Sequence, residues 1–211
     1  MQAYVEDKGK MKQFTLHDPI SMAVYIAMIL SWIVFFVGFR WFRFRRPKTA
    51  EKRRDRFSVV GIVLQGAGYG IMWVIERPLF APILPMPTWV EVVVAIITVF
   101  IAVGSIGLVF SAVRVLGAQW AYVARVTEGH RLITEGPYRW VRNPIYTGML
   151  GMMLATGLAV SNWIAFPISV VVFGVGTYIR VSREEKLLRS EFGEQWDEYK
   201  RRVPAVLPGV L

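Results

Sequence analysis

Residues 20–39 read ISMAVYIAMILSWIVFFVGF, twenty positions without a formal charge. As an α-helix rising about 1.5 Å per residue, such a run crosses the roughly 30 Å hydrocarbon core of a bilayer. A cleaved signal peptide would have a shorter apolar region followed by a small-residue cleavage site, whereas this run ends in Phe39-Arg40-Trp41. The stretch predicts an anchored membrane helix. Phe57–Ile75 and, interrupted only by Glu91 near its start, Trp89–Val113 repeat the signal, and Ile145–Val160 and Trp163–Ile179 form a helical hairpin turned at Ser161-Asn162. The short hairpin arms imply tilt, local thinning of the bilayer, or partial burial in protein rather than lipid. The fold expected is all-α, a polytopic integral membrane protein with about five transmembrane helices and a C-terminal cytoplasmic helix.

Charge then orients the spans. The chain carries 25 Lys and Arg against 15 Asp and Glu, and nine of the basic residues lie in Arg40–Arg56. A nucleic-acid-binding arm would also be basic, but charge beside a membrane helix usually fixes it on the cytoplasmic side and suits anionic lipid headgroups. No nucleic-acid partner is expected. With five spans, 21 of the 25 basic residues fall on one side, which puts the amino terminus outside and the carboxyl terminus in the cytoplasm. Three regions follow: an extramembrane arm at 1–19, a three-helix scaffold at 20–113 with its basic loop at 40–56, and a functional region at 114–211 containing the hairpin 145–179. Gly61, Gly66, Gly68 and Gly70 in the second span, with Gly104 and Gly107 in the third, suit close helix packing. Gly66-Ala67-Gly68-Tyr69-Gly70 lacks the preceding strand and the spacing of a nucleotide-binding loop.

Two stretches carry the candidate chemistry. His130–Gly148 reads HRLITEGPYRWVRNPIYTG, with turn signals at Glu135-Gly136-Pro137 and Arg142-Asn143-Pro144. A polar, rigidly turned segment that runs into an apolar helix suits a site at a membrane surface. Asn143-Pro144 is equally a helix start, with Asn as N-cap and Pro in the first turn, and Arg139 and Arg142 are equally flanking charges. The second stretch, Arg180–Pro208, reads RVSREEKLLRSEFGEQWDEYKRRVPAVLP. On a helix the adjacent Glu184 and Glu185 point about 100° apart, so one can face a site while the other meets solvent or a basic side chain. Phe192, Trp196 and Tyr199 recur at helical spacing and suit packing of the tail; Met149, Met152 and Met153 suit helix packing or a lipid-facing surface.

Taken together, these pieces resemble the isoprenylcysteine carboxyl methyltransferase family of membrane enzymes and, more distantly, the phospholipid N-methyltransferases. The match runs through His130, Leu132–Tyr138, Arg142-Asn143-Pro144, Tyr146 and Gly148. It continues at Arg180, Glu184-Glu185, Phe192-Gly193, Tyr199 and Arg202-Val203-Pro204, over about the last 80 residues. The resemblance implies S-adenosyl-L-methionine as methyl donor. It implies a cofactor pocket shaped by His130, Gly136, Tyr138, Asn143, Pro144, Tyr146, Gly148, Glu184 and Glu185, with the stronger role at Glu185 beside Arg180. The family usually has Arg-His-Pro where this chain has Arg142-Asn143-Pro144; an amide cannot serve as a cationic or proton-shuttling imidazole.

Methyl transfer is an in-line displacement at an activated carbon, so alignment, water exclusion and charge balance are what the protein must supply. Arg180 and Arg142 are the candidates to hold a carboxylate with two-pronged geometry. Arg142, Arg180 and Glu185 are thus the expected catalytic set. No HExxH pattern, serine elbow, Walker loop or cysteine occurs, and no metal is expected. The expected acceptor is a lipophilic small molecule or a prenylated or lipid substrate bearing a carboxylate; a phospholipid amine or small thiol is the alternative. A membrane scaffold or transporter is the non-enzymatic alternative. Against a transporter, Ile20–Phe39, Phe57–Ile75 and Trp163–Ile179 contain no charge.

Overall fold

Local chemistry sets the helix ends. The Asp18 carboxylate accepts the Ser21 amide at 2.8 Å and starts α1, Pro19–Phe44. α2 covers Ser58–Val74, and α3, Thr88–Leu116, follows the extended Pro87 and stops at Gly117. α4, Pro144–Ala159, opens on its proline, and α5 runs unbroken from Ala165 to Phe192. Gly193, at φ +51°, separates α5 from α6, Glu194–Arg202. These elements come from a computed structural model that describes residues 18–44, 51–78, 80–120, 125–127, 129 and 131–207.

The helical membrane reading holds. α1, α3 with its short continuation to Gln119, and α5 are each long and apolar enough to cross a bilayer, while α2 and α4 are shorter apolar helices. One addition to the all-helical expectation is a small antiparallel ribbon of β1, Glu51–Arg54, and β2, Arg125–Thr127, with an irregularity between Glu51 and Arg53. It joins the basic loop to the polar segment after α3.

Packing explains why α4 is only 16 residues long. It lies within the bundle against α1, α3 and α5, and Met152, Met153, Ala155 and Thr156 are fully buried. Of the two readings open for the methionines, packing is correct for Met152 and Met153. Trp32 of α1 donates its indole N–H to Thr156 Oγ1 at 3.1 Å, which satisfies a polar group inside the apolar core.

α2 pairs with α5 almost backbone to backbone. A methyl placed on Gly61 would lie 2.6 Å from the Gly176 carbonyl oxygen, and one on Gly176 would lie 2.7 Å from the Gly61 carbonyl. Gly68 similarly meets the Ser169 carbonyl. The expected role for Gly104 and Gly107 is corrected: an added methyl meets nothing within 4 Å at either position. The close α3–α4 approach instead uses Gly148 and Gly151 on α4 against Ser105 and Val109.

At the end of the bundle remote from the polar stretches, Arg77 closes α4. Its guanidinium donates to the carbonyls of Leu158 at 2.9 Å, Ala159 at 2.7 Å and Ala81 at 2.6 Å. The last carbonyls of a helix have no partner within it, so a cation there satisfies acceptors and complements the helix dipole. Burial lowers the Arg77 pKa to about 10, with nearby Glu91 acting in the opposite direction, so the group stays charged at neutral pH. Gly176→Ala should destabilise the α2–α5 seam by about 1–3 kcal/mol, since the added methyl meets backbone that cannot move aside. Thermal unfolding of the purified protein checks this, with Gly104→Ala, where the methyl meets nothing, expected to keep or raise the parent midpoint.

Candidate active site

α1 packs on α3 and α4, and α2 packs on α5, so α1 and α2 face each other across a gap. The gap is a cavity of about 750 Å³. Trp32, Phe35, Phe36 and Phe39 form one wall, and Ile62, Gly66, Tyr69, Gly70 and Trp73 form the other. The rings of Trp32 and Tyr69 meet edge to face at 4.9 Å and bridge the two helices. Tyr69 is fixed there by donating its hydroxyl to the Met149 carbonyl at 2.6 Å.

The cavity ends at a polar cluster built by α4, α5 and the segment before α4. Tyr146 donates its hydroxyl to Glu184 Oε1 at 2.5 Å. Arg180 lies over the Tyr146 ring, 4.9 Å from its centre, and reaches Glu184 at 3.5 Å. The i, i+4 spacing on α5 brings Arg180 and Glu184 to one face. Tyr138, Arg142 and Asn143 complete this end. Burial, and then the Glu184 charge, push the Tyr138 phenol well above its ordinary pKa, so it remains a neutral group.

Glu185, one residue on, has a different task. Its carboxylate pairs with Arg142 Nε at 3.1 Å and with Lys200 Nζ at 2.9 Å. Arg142 also donates to the Lys200 carbonyl at 2.8 Å and to the Val203 carbonyl, and its own amide donates to the Pro204 carbonyl at 2.8 Å. Next to it, the Asn143 amide and side chain both donate to the Ala205 carbonyl at 3.0 Å, and Thr147 Oγ1 donates to the Val206 carbonyl. Trp196, Tyr199 and Val203 pack with Leu132, Leu188 and Phe192 below this latch. The Tyr199 hydroxyl donates to the Tyr138 carbonyl at 2.7 Å. The tail is thus fastened by charge, backbone and apolar contacts together.

The expected site residues divide accordingly. Tyr138, Arg142, Asn143, Tyr146, Arg180 and Glu184 line the cavity. Glu185, for which the resemblance implies the stronger role, does not line it; the turn of α5 aims Glu185 at Arg142 and the tail. Pro144 and Gly148 are buried and also stand off the cavity wall, Gly148 against Ser105 and Val109 of α3. Gly136 turns the chain at φ +59° beside Val115. Asn143 occupies the N-cap position of α4, but its side chain makes no capping bond and serves the tail instead. His130 lies outside the described residues.

One contributor escaped the sequence reading. Gln65 on α2, buried to 2%, accepts from Arg180 Nη1 at 3.1 Å and donates to Thr177 Oγ1 at 2.9 Å. It fixes the orientation of the Arg180 guanidinium from the far wall. The available signal was a lone amide within an apolar span, since a buried amide must find partners.

These features define a membrane-embedded helical protein with a lipid-sized apolar cavity ending in a tyrosine, a glutamate and an arginine. Residues 91–195 match the sequence profile of the phospholipid methyltransferase family. Protein-S-isoprenylcysteine O-methyltransferase B of Arabidopsis thaliana is 33% identical over 106 residues, covering 47% of this chain and 52% of that protein. The Homo sapiens protein-S-isoprenylcysteine O-methyltransferase is 31% identical over 136 residues, covering 62% of this chain and 45% of its own. A solved structure of a eukaryotic intramembrane Ras methyltransferase, isoprenylcysteine carboxyl methyltransferase, gives a TM-score of 0.47 at 19% identity, over 88% of this chain and 52% of that one. The chain spans about half the length of the curated relatives it matches. Over these regions the chain is similar both to the phospholipid methyltransferase family and to isoprenylcysteine O-methyltransferases.

The latch gives its own test. Glu185→Gln removes the charge that holds both Arg142 and Lys200, and charge-assisted bonds of this kind contribute about 1.5–3 kcal/mol. Amide exchange across 194–206 should quicken about ten- to hundredfold, with α1 and α3 unaffected.

Proposed function

We propose that this protein is an integral-membrane methyltransferase that passes a methyl group from S-adenosyl-L-methionine to the carboxylate of a lipophilic acceptor of the isoprenylcysteine kind. The observation that carries this reading is one continuous cavity, apolar between α1 and α2 and ending at Tyr146, Glu184 and Arg180. The residue types suit the donor. The Glu184 carboxylate and the Tyr146 ring favour a sulfonium cation, and Arg180, oriented by Gln65, offers fork-shaped donors to a carboxylate.

S-adenosyl-L-methionine, when bound, supplies a methyl carbon already activated by positive sulfur. Glu184 and Tyr146 would hold the donor's sulfonium and Arg180 the acceptor carboxylate, and transfer of the methyl group from sulfur to the carboxylate oxygen would give a methyl ester and S-adenosylhomocysteine. An anion and a cation become two neutral products, and no proton moves. Such a collapse of charge is favoured where the dielectric is low, so an apolar cavity helps the reaction it encloses. The same walls penalise bringing the charges in, which is why ion-pairing groups stand at the end of the cavity. Arg180 and Glu184 orient the reactants, Tyr146 fixes Glu184, and the apolar walls exclude water.

We assign the polar end to the cytoplasmic side, where a soluble donor is available. The ends of α1, α3 and α5 near the site carry Arg40, Arg43, Arg114 and Arg183, which supports this orientation. Single cysteines in the cysteine-free chain check it. Leu84→Cys, an exposed position at the opposite end, should react with an impermeant thiol reagent on intact cells, and Arg201→Cys should not. The reverse pattern removes the assignment.

The chemical test pairs calorimetry with turnover. The purified protein should bind S-adenosylhomocysteine and methylate an S-prenylated cysteine on its carboxyl group; a folded sample without binding ends the reading. Methylation of phospholipid amines instead would replace the acceptor and keep the donor. Glu184→Gln and Arg180→Lys should each lower transfer about a hundredfold with folding intact, the loss expected for an oriented charged contact at the reacting centre. Parental turnover in both would take the cluster out of the mechanism.

A further inference from the structure

Two glycines on α2 have no packing role. Gly61 and Gly68 face α5, but a methyl added to Gly66 or Gly70 meets nothing within 4 Å. Both glycines line the cavity instead, one helical turn apart. Glycine in the middle of a helix costs about 1 kcal/mol relative to alanine, so its presence here has no stabilising explanation. Opposite them stand large rings, Trp32, Phe35, Phe36 and Phe39 of α1. Between the side chains of Ile62, Tyr69 and Trp73 on the α2 wall, Gly66 and Gly70 leave two gaps opposite these rings, and the width of the channel there is set at these two positions.

The channel also has a direction. Gln65 contacts Arg180, so Gly66 sits beside the polar end and Gly70 lies about 6 Å further along α2. From Ile62 to Trp73 the α2 wall is about 16 Å long. Phe36, at 63% exposed, and the exposed Gly66 and Gly70 leave the gap between α1 and α2 open toward lipid.

We propose that Gly66 and Gly70 are specificity-determining residues, the open side of a channel between α1 and α2 that holds the acceptor's hydrocarbon tail and sets how long a tail is accepted. This rests on the lipophilic-acceptor reading above. A side chain at Gly66 narrows the channel next to the reacting group. One at Gly70 blocks only what lies beyond the first turn. The two positions therefore differ in which tails they exclude, a distinction that general loss of stability does not produce.

The experiment uses the reconstituted full chain with S-geranyl, S-farnesyl and S-geranylgeranyl cysteine, measuring binding by calorimetry and methyl transfer separately. In Gly70→Leu the longest tail should lose affinity about tenfold or more, as expected when several carbons lose burial, while the shortest keeps its parental value. Gly70→Ala should shift the cut-off in the same direction by less. Gly66→Leu should weaken all three tails, and Gly104→Leu, on the open face of α3, should weaken none. Equal loss across the series in Gly70→Leu, or no loss in any tail, overturns the proposal. A cut-off that moves in binding without any methyl transfer keeps the channel and ends the transfer reading. Transfer with an unmoved cut-off does the reverse.

Discussion

Charge inside an apolar bundle is tolerable only where each ion meets partners that replace water, and the end of this molecule that bears the site is arranged around that requirement. Arg180 is held by Gln65, Glu184 and the face of Tyr146, and Arg142 by Glu185 and three carbonyls of the tail. The two arginines sit on different elements and serve different ends. What separates them is the turn of about 100° between Glu184 and Glu185, which gives one carboxylate to the cavity and the other to the latch. A single helix therefore supports both the polar end of the cavity and the closure beneath it.

α5 continues well past the apolar run that marks it in sequence. From Ser169 at its contact with Gly68, through Gly176 and Arg180 to Glu185, it is one uninterrupted helix. The α2 seam, the polar cluster and the tail are thereby fixed relative to each other without an intervening loop. α4 complements it from inside the bundle, with its first turn tied to the tail segment and its last turn capped by Arg77.

Much of the fold was legible because apolar runs of membrane length have few alternatives. The helices, the hairpin at Ser161-Asn162 and the packing of Trp196 and Tyr199 all follow from periodicity and composition. The rotation of each helix about its own axis was not legible. In a nearly uniform apolar helix no polar stripe marks the inner face, so Gly104 and Gly61 look alike although only Gly61 meets another helix. The same blindness hid the division of labour between Glu184 and Glu185, whose neighbours come from α4 and from the tail 15 residues later. Gln65 was overlooked because its partners, Thr177 and Arg180, lie more than a hundred residues away.

The contact between Gly61 and Gly176 constrains how this sequence can drift. In an ordinary core a larger side chain at one position can be accommodated by a smaller one opposite, so neighbouring positions change as pairs. Here the atom that a new methyl would strike is the opposing carbonyl oxygen, which belongs to the backbone and cannot be made smaller by any substitution. Neither glycine has a compensating replacement at the other. The seam can be kept or lost, but it cannot be traded for another solution one residue at a time.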